Sequence, residues 1–189
     1  MRLHGYDYAQ PGSYFLTACT LGRQLLFGDV LGGQMRVNEF GGIVQEEWFR
    51  TPQIRPEALL DAFVVMPNHI HGIIIINPSR TGVNHVVTRP RATQHAAPAR
   101  PAGPKGGSLG AILGQMTTKR INLMRRTPHE PVWQRNFYEH IIRTQQTLDK
   151  IREYILTNPE RWAIDPENPS AANFVSDELE DILASEGDL

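Results

Sequence analysis

Two β-rich runs, Leu59 to Met66 and His69 to Ile76, are separated by nothing but Pro67-Asn68. Neighbouring strands joined that tightly pair as an antiparallel hairpin, because a parallel return needs a crossover of a dozen or more residues. The second run opens His69-Ile70-His71-Gly72 before Ile73 to Ile76. In a strand, residues i and i+2 point to the same face, so His69 and His71 are placed to share one ligand while Ile70 faces the other way. The plainer account is two hydrogen-bonded polar side chains at a sheet edge.

The rest of the chain is organised around that hairpin. Ser13 to Thr20 is apolar and β-rich and reads as a first strand. Asn38 suits the cap of a helix to about Phe49, with Ile43, Val44, Trp48 and Phe49 as its stripe and Pro52 as its end. Residues 77–107 are rich in Pro, Gly, Ala, Thr and Arg without periodicity and read as a mobile insertion. A helix from about Ser108 to Met124, a short strand from about Val132 to Ile142 and a last helix from Gln145 to Thr157 follow. Strand, helix, hairpin, helix, strand, helix is the order of an α+β, ferredoxin-like antiparallel sheet with helices packed on one face.

The chain has 189 residues, enough for one domain, residues 1–164, with an appended acidic tail, 165–189. Its single cysteine, Cys19, has no internal disulfide partner, and with no apolar leader this argues for the cytoplasm. No apolar run approaches the ~18 residues of a membrane span. The net charge of −1 conceals an uneven distribution. The tail carries eight carboxylates and no Lys or Arg, which leaves the first 164 residues net basic. No Asp or Glu occurs between Ala62 and His129, a tract holding Arg80, Arg89, Arg91, Arg100, Lys105, Lys119, Arg120, Arg125 and Arg126. Such a tract is a footprint for phosphates, or else a solvated basic loop. The tail either competes with phosphates for that surface or aids solubility, and Val175, Leu179, Ile182 and Leu183 allow it a short peripheral helix.

Tyr154 and Asn158 stand at i and i+4, which on a helix puts a phenol and a carboxamide about 6 Å apart on one face. A core tyrosine and an asparagine stopping a helix before Pro159 are the plainer accounts. The segments Met66-Pro67-Asn68-His69-Ile70-His71-Gly72, Val132-Trp133-Gln134-Arg135-Asn136-Phe137-Tyr138-Glu139-His140-Ile141-Ile142-Arg143 and Tyr154-Ile155-Leu156-Thr157-Asn158-Pro159 occur in the order seen in single-tyrosine HUH transposases. Among these the chain most resembles the REP-associated tyrosine transposases, as does its opening from Tyr6 to Thr17. The resemblance runs from about residue 5 to about residue 165. It departs at Gln115-Met116-Thr117-Thr118-Lys119, where the family often has Phe-Lys-Ser before the threonines.

The resemblance implies the same sheet core and a metal-dependent, site-specific single-strand DNA endonuclease and strand transferase acting at hairpins. It implies Tyr154 as the nucleophile, leaving a 5′-phosphotyrosine and a free 3′-hydroxyl, and Asn158 as third metal ligand beside His69 and His71. A phenol of reference pKa ~10 needs such help at neutral pH. Two imidazoles and an amide oxygen suit Mg2+ or Mn2+, and those ligands also accept Zn2+. Tyr138 is the rival nucleophile, lacking an Asn at i+4, and His140 is a candidate supporting group. Lys119, Arg120, Arg125, Arg126 and Arg135 are candidate contacts to single-stranded or hairpin DNA. Trp133 and Phe137 could stack on bases or pack in the core. The expected partner is DNA and not a membrane, with the protein a monomer or homodimer. The alternatives are a mobile-element transposase flanked by its own terminal hairpins and a domesticated DNA-binding protein without catalysis.

Overall fold

The computed structural model describes residues 10–77, 109–126, 130–135, 137–171 and 178–184. Nearly all of the 77–107 insertion, with its Arg and Lys residues, lies outside them, as do Tyr6, Tyr8, Asn136 and Val175. The elements run β1 (Gly12–Cys19), β2 (Gly28–Leu31), β3 (Gln34–Val37), α1 (Glu39–Ile54), β4 (Ala58–Val65), β5 (His69–Ile76), α2 (Leu109–Arg125), β6 (Tyr138–Ile142), α3 (Gln145–Thr157) and α4 (Glu178–Ala184), with a 3-10 segment at Asn158–Ile164.

Four strands make one antiparallel sheet in the order β4-β5-β1-β6. Taken as the first, second, third and fourth core strands, β1, β4, β5 and β6 have the ferredoxin-like order, and β5, which carries both histidines, is interior. The expected hairpin closes with Met66 N–H donating to the His69 carbonyl at 2.8 Å. The α+β class and the antiparallel sheet are as the sequence predicts.

The helices, expected on one face, cover both. β1 and β5 are apolar at positions of either parity, so each strand can bury two faces. Tyr14, Leu16, Ala18, Ile70 and Ile74 pack with Ile43, Val44 and Trp48 of α1 and Ile121 of α2. Phe15 and Ile73 pack on the opposite side with Leu148, Ile151, Tyr154 and Ile155 of α3 and Leu179 and Ile182 of α4. The crossover helices α1 and α2 therefore share one face, and the C-terminal helices take the other. The tail helix, expected to be peripheral, buries Leu179 and Ile182 against α3.

Local chemistry explains the boundaries. Asn38 caps α1 through its side-chain oxygen, which accepts from the Phe40 and Gly41 N–H groups. Pro52 does not end that helix, which continues to Ile54. In the last turn a proline removes a single intrahelical bond, and Arg55 N–H still donates to the Thr51 carbonyl at 2.8 Å. The strand expected from about Val132 to Ile142 reduces to a bridge between Trp133 and Thr20 and the strand β6 from Tyr138. The small β2-β3 hairpin turns at Gly32-Gly33, both at positive φ, as a two-residue turn of the primed type demands.

Candidate active site

His69 and His71 project from β5 toward α3, on the face that also carries Phe15 and Ile73. Both are buried, at 0% and 2% exposure, with ring centroids 4.6 Å apart. On the opposite face Gly72 leaves the room that Trp48 fills, since a Cβ there would lie 2.3 Å from the indole.

Each imidazole is oriented by a partner on its Nδ1. Asn68 Nδ2 donates to the Arg23 and Glu167 carbonyls at 3.3 and 2.6 Å, which turns Oδ1 toward His69. That oxygen accepts from His69 Nδ1–H at 2.8 Å, so Nε2 carries the lone pair. Thr17, directly across from His71 in the β1-β5 register, places its hydroxyl 2.8 Å from His71 Nδ1. Such partners fix ring orientation and raise ligand basicity.

Thr144 caps α3 by accepting from Thr147 N–H. Arg152 clamps that helix to β4 through two hydrogen bonds to Asp61, at 3.0 and 2.6 Å. Two residues on, Tyr154 meets His71 edge to face, with ring centroids 5.3 Å apart. Asn158 is the C-cap at which α3 ends, the chain passes from it directly into the 3-10 segment, and the residue is 1% exposed. Tyr138 lies opposite Thr17 on β6, two strands from His71, and its ring meets Phe15 at 6.3 Å. Phe15 also stacks on His71, with ring centroids 5.4 Å apart, and the Trp162 ring lies 6.1 Å from that of His69.

At this centre three buried polar atoms have no hydrogen-bond partner: His69 Nε2, His71 Nε2 and Asn158 Oδ1. Each such group costs about 1–3 kcal/mol. Burial holds His69 neutral by pushing its pKa down to about 3, while the adjacent Asn158 amide favours the charged form. Burial and the neighbouring His69 hold His71 well below the usual imidazole range. Among the described residues no three His, Cys, Asp or Glu side chains are grouped to hold a metal ion. A cation here would therefore be held by the two histidines and an amide, and the three orphaned atoms fit that donor set.

A cavity of about 350 Å³ opens beside Tyr154, lined also by Lys150, Glu153, Arg161, Asp181 and Ile182. The other candidates lie elsewhere. Arg120 binds Glu47 and Glu46 at 2.7 and 2.5 Å, tying α2 to α1. Arg125 sits 4.9 Å over the Phe40 ring. Lys119, Arg126 and Arg135 are exposed. Trp133 is a core residue whose indole N–H donates to Thr117 at 2.8 Å, and Phe137 packs on the same cluster. Sequence reasoning passed over Thr17 and Asn68, which look like ordinary strand and turn residues, and Asp165, read only as tail charge.

No protein-family model matches the chain. An uncharacterised protein of Haemophilus influenzae is 36% identical over 166 residues, covering 87% of this chain and 89% of its own. A REP-associated tyrosine transposase solved with a REP hairpin is similar at 19% identity and a TM-score of 0.49, over 84% of this chain and 73% of that one. A protein of Deinococcus radiodurans assigned as a transposase is similar at 17% identity and a TM-score of 0.43, over 82% of this chain and 95% of that one. No helix among the described residues is long and apolar enough to cross a membrane.

Proposed function

This chain belongs to one family with the Haemophilus influenzae protein, and we propose that it is a metal-dependent, site-specific single-strand DNA endonuclease and strand transferase of the REP-associated tyrosine transposase type. The observation that carries this reading is the set of three buried, unpartnered polar atoms on His69, His71 and Asn158 beside the ring of Tyr154. A DNA-binding protein without catalysis has no use for that arrangement. The order of the sequence motifs supports the same reading.

His69, His71 and Asn158 would hold Mg2+ or Mn2+. When bound, the ion offsets charge that builds on the scissile phosphate. The rest falls to the chain itself. Thr17 and Asn68 keep both imidazoles aimed, and burial keeps them neutral. The cavity beside Tyr154 is lined by two cations, Lys150 and Arg161, and two carboxylates, Glu153 and Asp181. Tyr154 Oη bonds to phosphorus as the bond to the 3′-oxygen breaks; the products are a 5′-phosphotyrosine and a 3′-hydroxyl that takes up the phenol's proton. Attack by that hydroxyl, or by one on another strand, reverses the step and joins strands. Single-stranded or hairpin DNA is the partner, and the cytoplasm the place of action.

The test is incubation of the protein with labelled single-stranded DNA from the flanks of its own gene, with Mn2+ or Mg2+, followed by denaturing electrophoresis. Wild type is expected to form a covalent adduct. Tyr154→Phe should abolish it and leave DNA affinity within about twofold, since one hydroxyl is the nucleophile but little of the binding surface. An adduct abolished in Tyr138→Phe and retained in Tyr154→Phe would overturn the assignment.

A further inference from the structure

The 3-10 segment is capped at its C-terminal end by Asp165, a residue buried at 4% exposure. Its Oδ2 lies 3.9 Å from His69 Nε2, the atom that bears the lone pair. A carboxylate that close to a lone pair is unfavourable in a medium of low dielectric constant, and favourable once a cation is shared between them. The turn itself holds the carboxylate there. Its Oδ1 accepts from Glu167 N–H at 2.7 Å. Arg23 ties the same turn down by pairing with Glu167 at 3.0 Å and donating to the Pro166 carbonyl at 3.1 Å. Asn68 joins the two halves, because the amide that accepts from His69 Nδ1–H also donates to the Glu167 carbonyl.

We propose that Asp165 is the anionic outer partner of the cation site, giving negative charge to a donor set that is otherwise neutral. The proposal rests on the metal reading above and extends it by one residue. Asp165 is not grouped with both histidines as a third inner ligand, so it acts from the second layer, where removal of a partner typically lowers metal affinity about 10–100-fold. Its charge favours a hard divalent cation and disfavours an empty site. Two imidazoles and an amide carry no charge, and Asp165 gives the loaded site a net charge of +1 instead of +2.

The experiment measures Mn2+ affinity of the full chain by calorimetry and by the electron paramagnetic resonance signal of free Mn2+, without DNA. Asp165→Asn keeps the acceptor for Glu167 N–H and removes only the charge. It should weaken Mn2+ binding about 10–100-fold, with Asp165→Glu recovering most of the affinity. The metal-free melting temperature of the Asn variant should stay the same or rise, because a buried carboxylate has been neutralised. Unchanged Mn2+ affinity with a lowered metal-free melting temperature would make Asp165 a structural turn residue and overturn the inference, leaving the metal site intact. Absence of Mn2+ binding in wild type, equal to that in His69→Ala, would overturn the metal reading and this inference together. Should the Asn variant not fold, Asp165→Ser, whose hydroxyl also supports such a turn, replaces it with the same expected weakening.

Discussion

The histidine pair makes folding sensitive to acid in a defined window. Burial lowers the pKa of His69 from 6.5 to about 3 and lowers that of His71 as well. The unfolded chain takes up these protons near neutrality and the folded chain does not, so stability is full above about pH 6.5 and falls as pH drops toward 3. The slope reaches about 1.4 kcal/mol per pH unit for each imidazole held neutral. Urea midpoints of the metal-free protein should therefore fall between about pH 7 and pH 5, before the carboxylates titrate, and His71→Gln should flatten that fall. A wild-type midpoint that stays level across this range would show that the imidazoles are not held neutral. The i, i+2 spacing makes the pair visible in the sequence because strand geometry is local. Asp165 is not visible there as part of the centre: it stands 96 positions after His69, and only the packing of the 3-10 segment brings them together.

Strand β5 has two tasks, one on each face, and Gly72 separates them. Its missing side chain admits Trp48, which stacks on Phe63 with ring centroids 4.3 Å apart. In Gly72→Ala the new Cβ would fall 2.3 Å from the indole, so Trp48 or the strand must shift. Overpacking of that kind costs about 1–3 kcal/mol, which should appear as a lower urea midpoint and, through the displaced neighbour His71, as weaker Mn2+ binding. An Ala variant as stable as wild type would mean that the α1 face yields easily. The hairpin β4-β5 is readable from the sequence because its two-residue connection leaves one pairing. The hairpin β2-β3 carries an equally local signal in Gly32-Gly33, but its strands are four residues each and mostly exposed, so hydrophobic alternation does not mark them. The side of the sheet on which α3 lands is not readable either. Apolar positions of both parities in β1 and β5 announce two buried faces without saying which helix covers which.

Charge is spread over the protein differently from its sequence. Of the four cations singled out for DNA on α2 and the residue that follows it, Arg120 is committed to Glu46 and Glu47, and Arg125 covers Phe40, while Lys119 and Arg126 face solvent. Neutralising Lys119 and Arg126 should make the salt dependence of single-stranded DNA binding shallower, by about 0.7 in log–log slope for each phosphate that is no longer neutralised. Arg120→Gln should leave the slope nearly unchanged and instead destabilise the α1-α2 packing. The reverse pattern, read from binding isotherms over a salt series, would place the DNA on the Glu46-Glu47 side. The exposed end of α2 and the ring of Tyr154 lie on opposite faces of one sheet. For a nuclease of the proposed kind, DNA gripped at the first and cut at the second has to travel around an edge of the β-layer. The thickness of the protein then works as a ruler: it sets a shortest length of unpaired strand between the gripped duplex and the broken bond, whatever bases that strand contains.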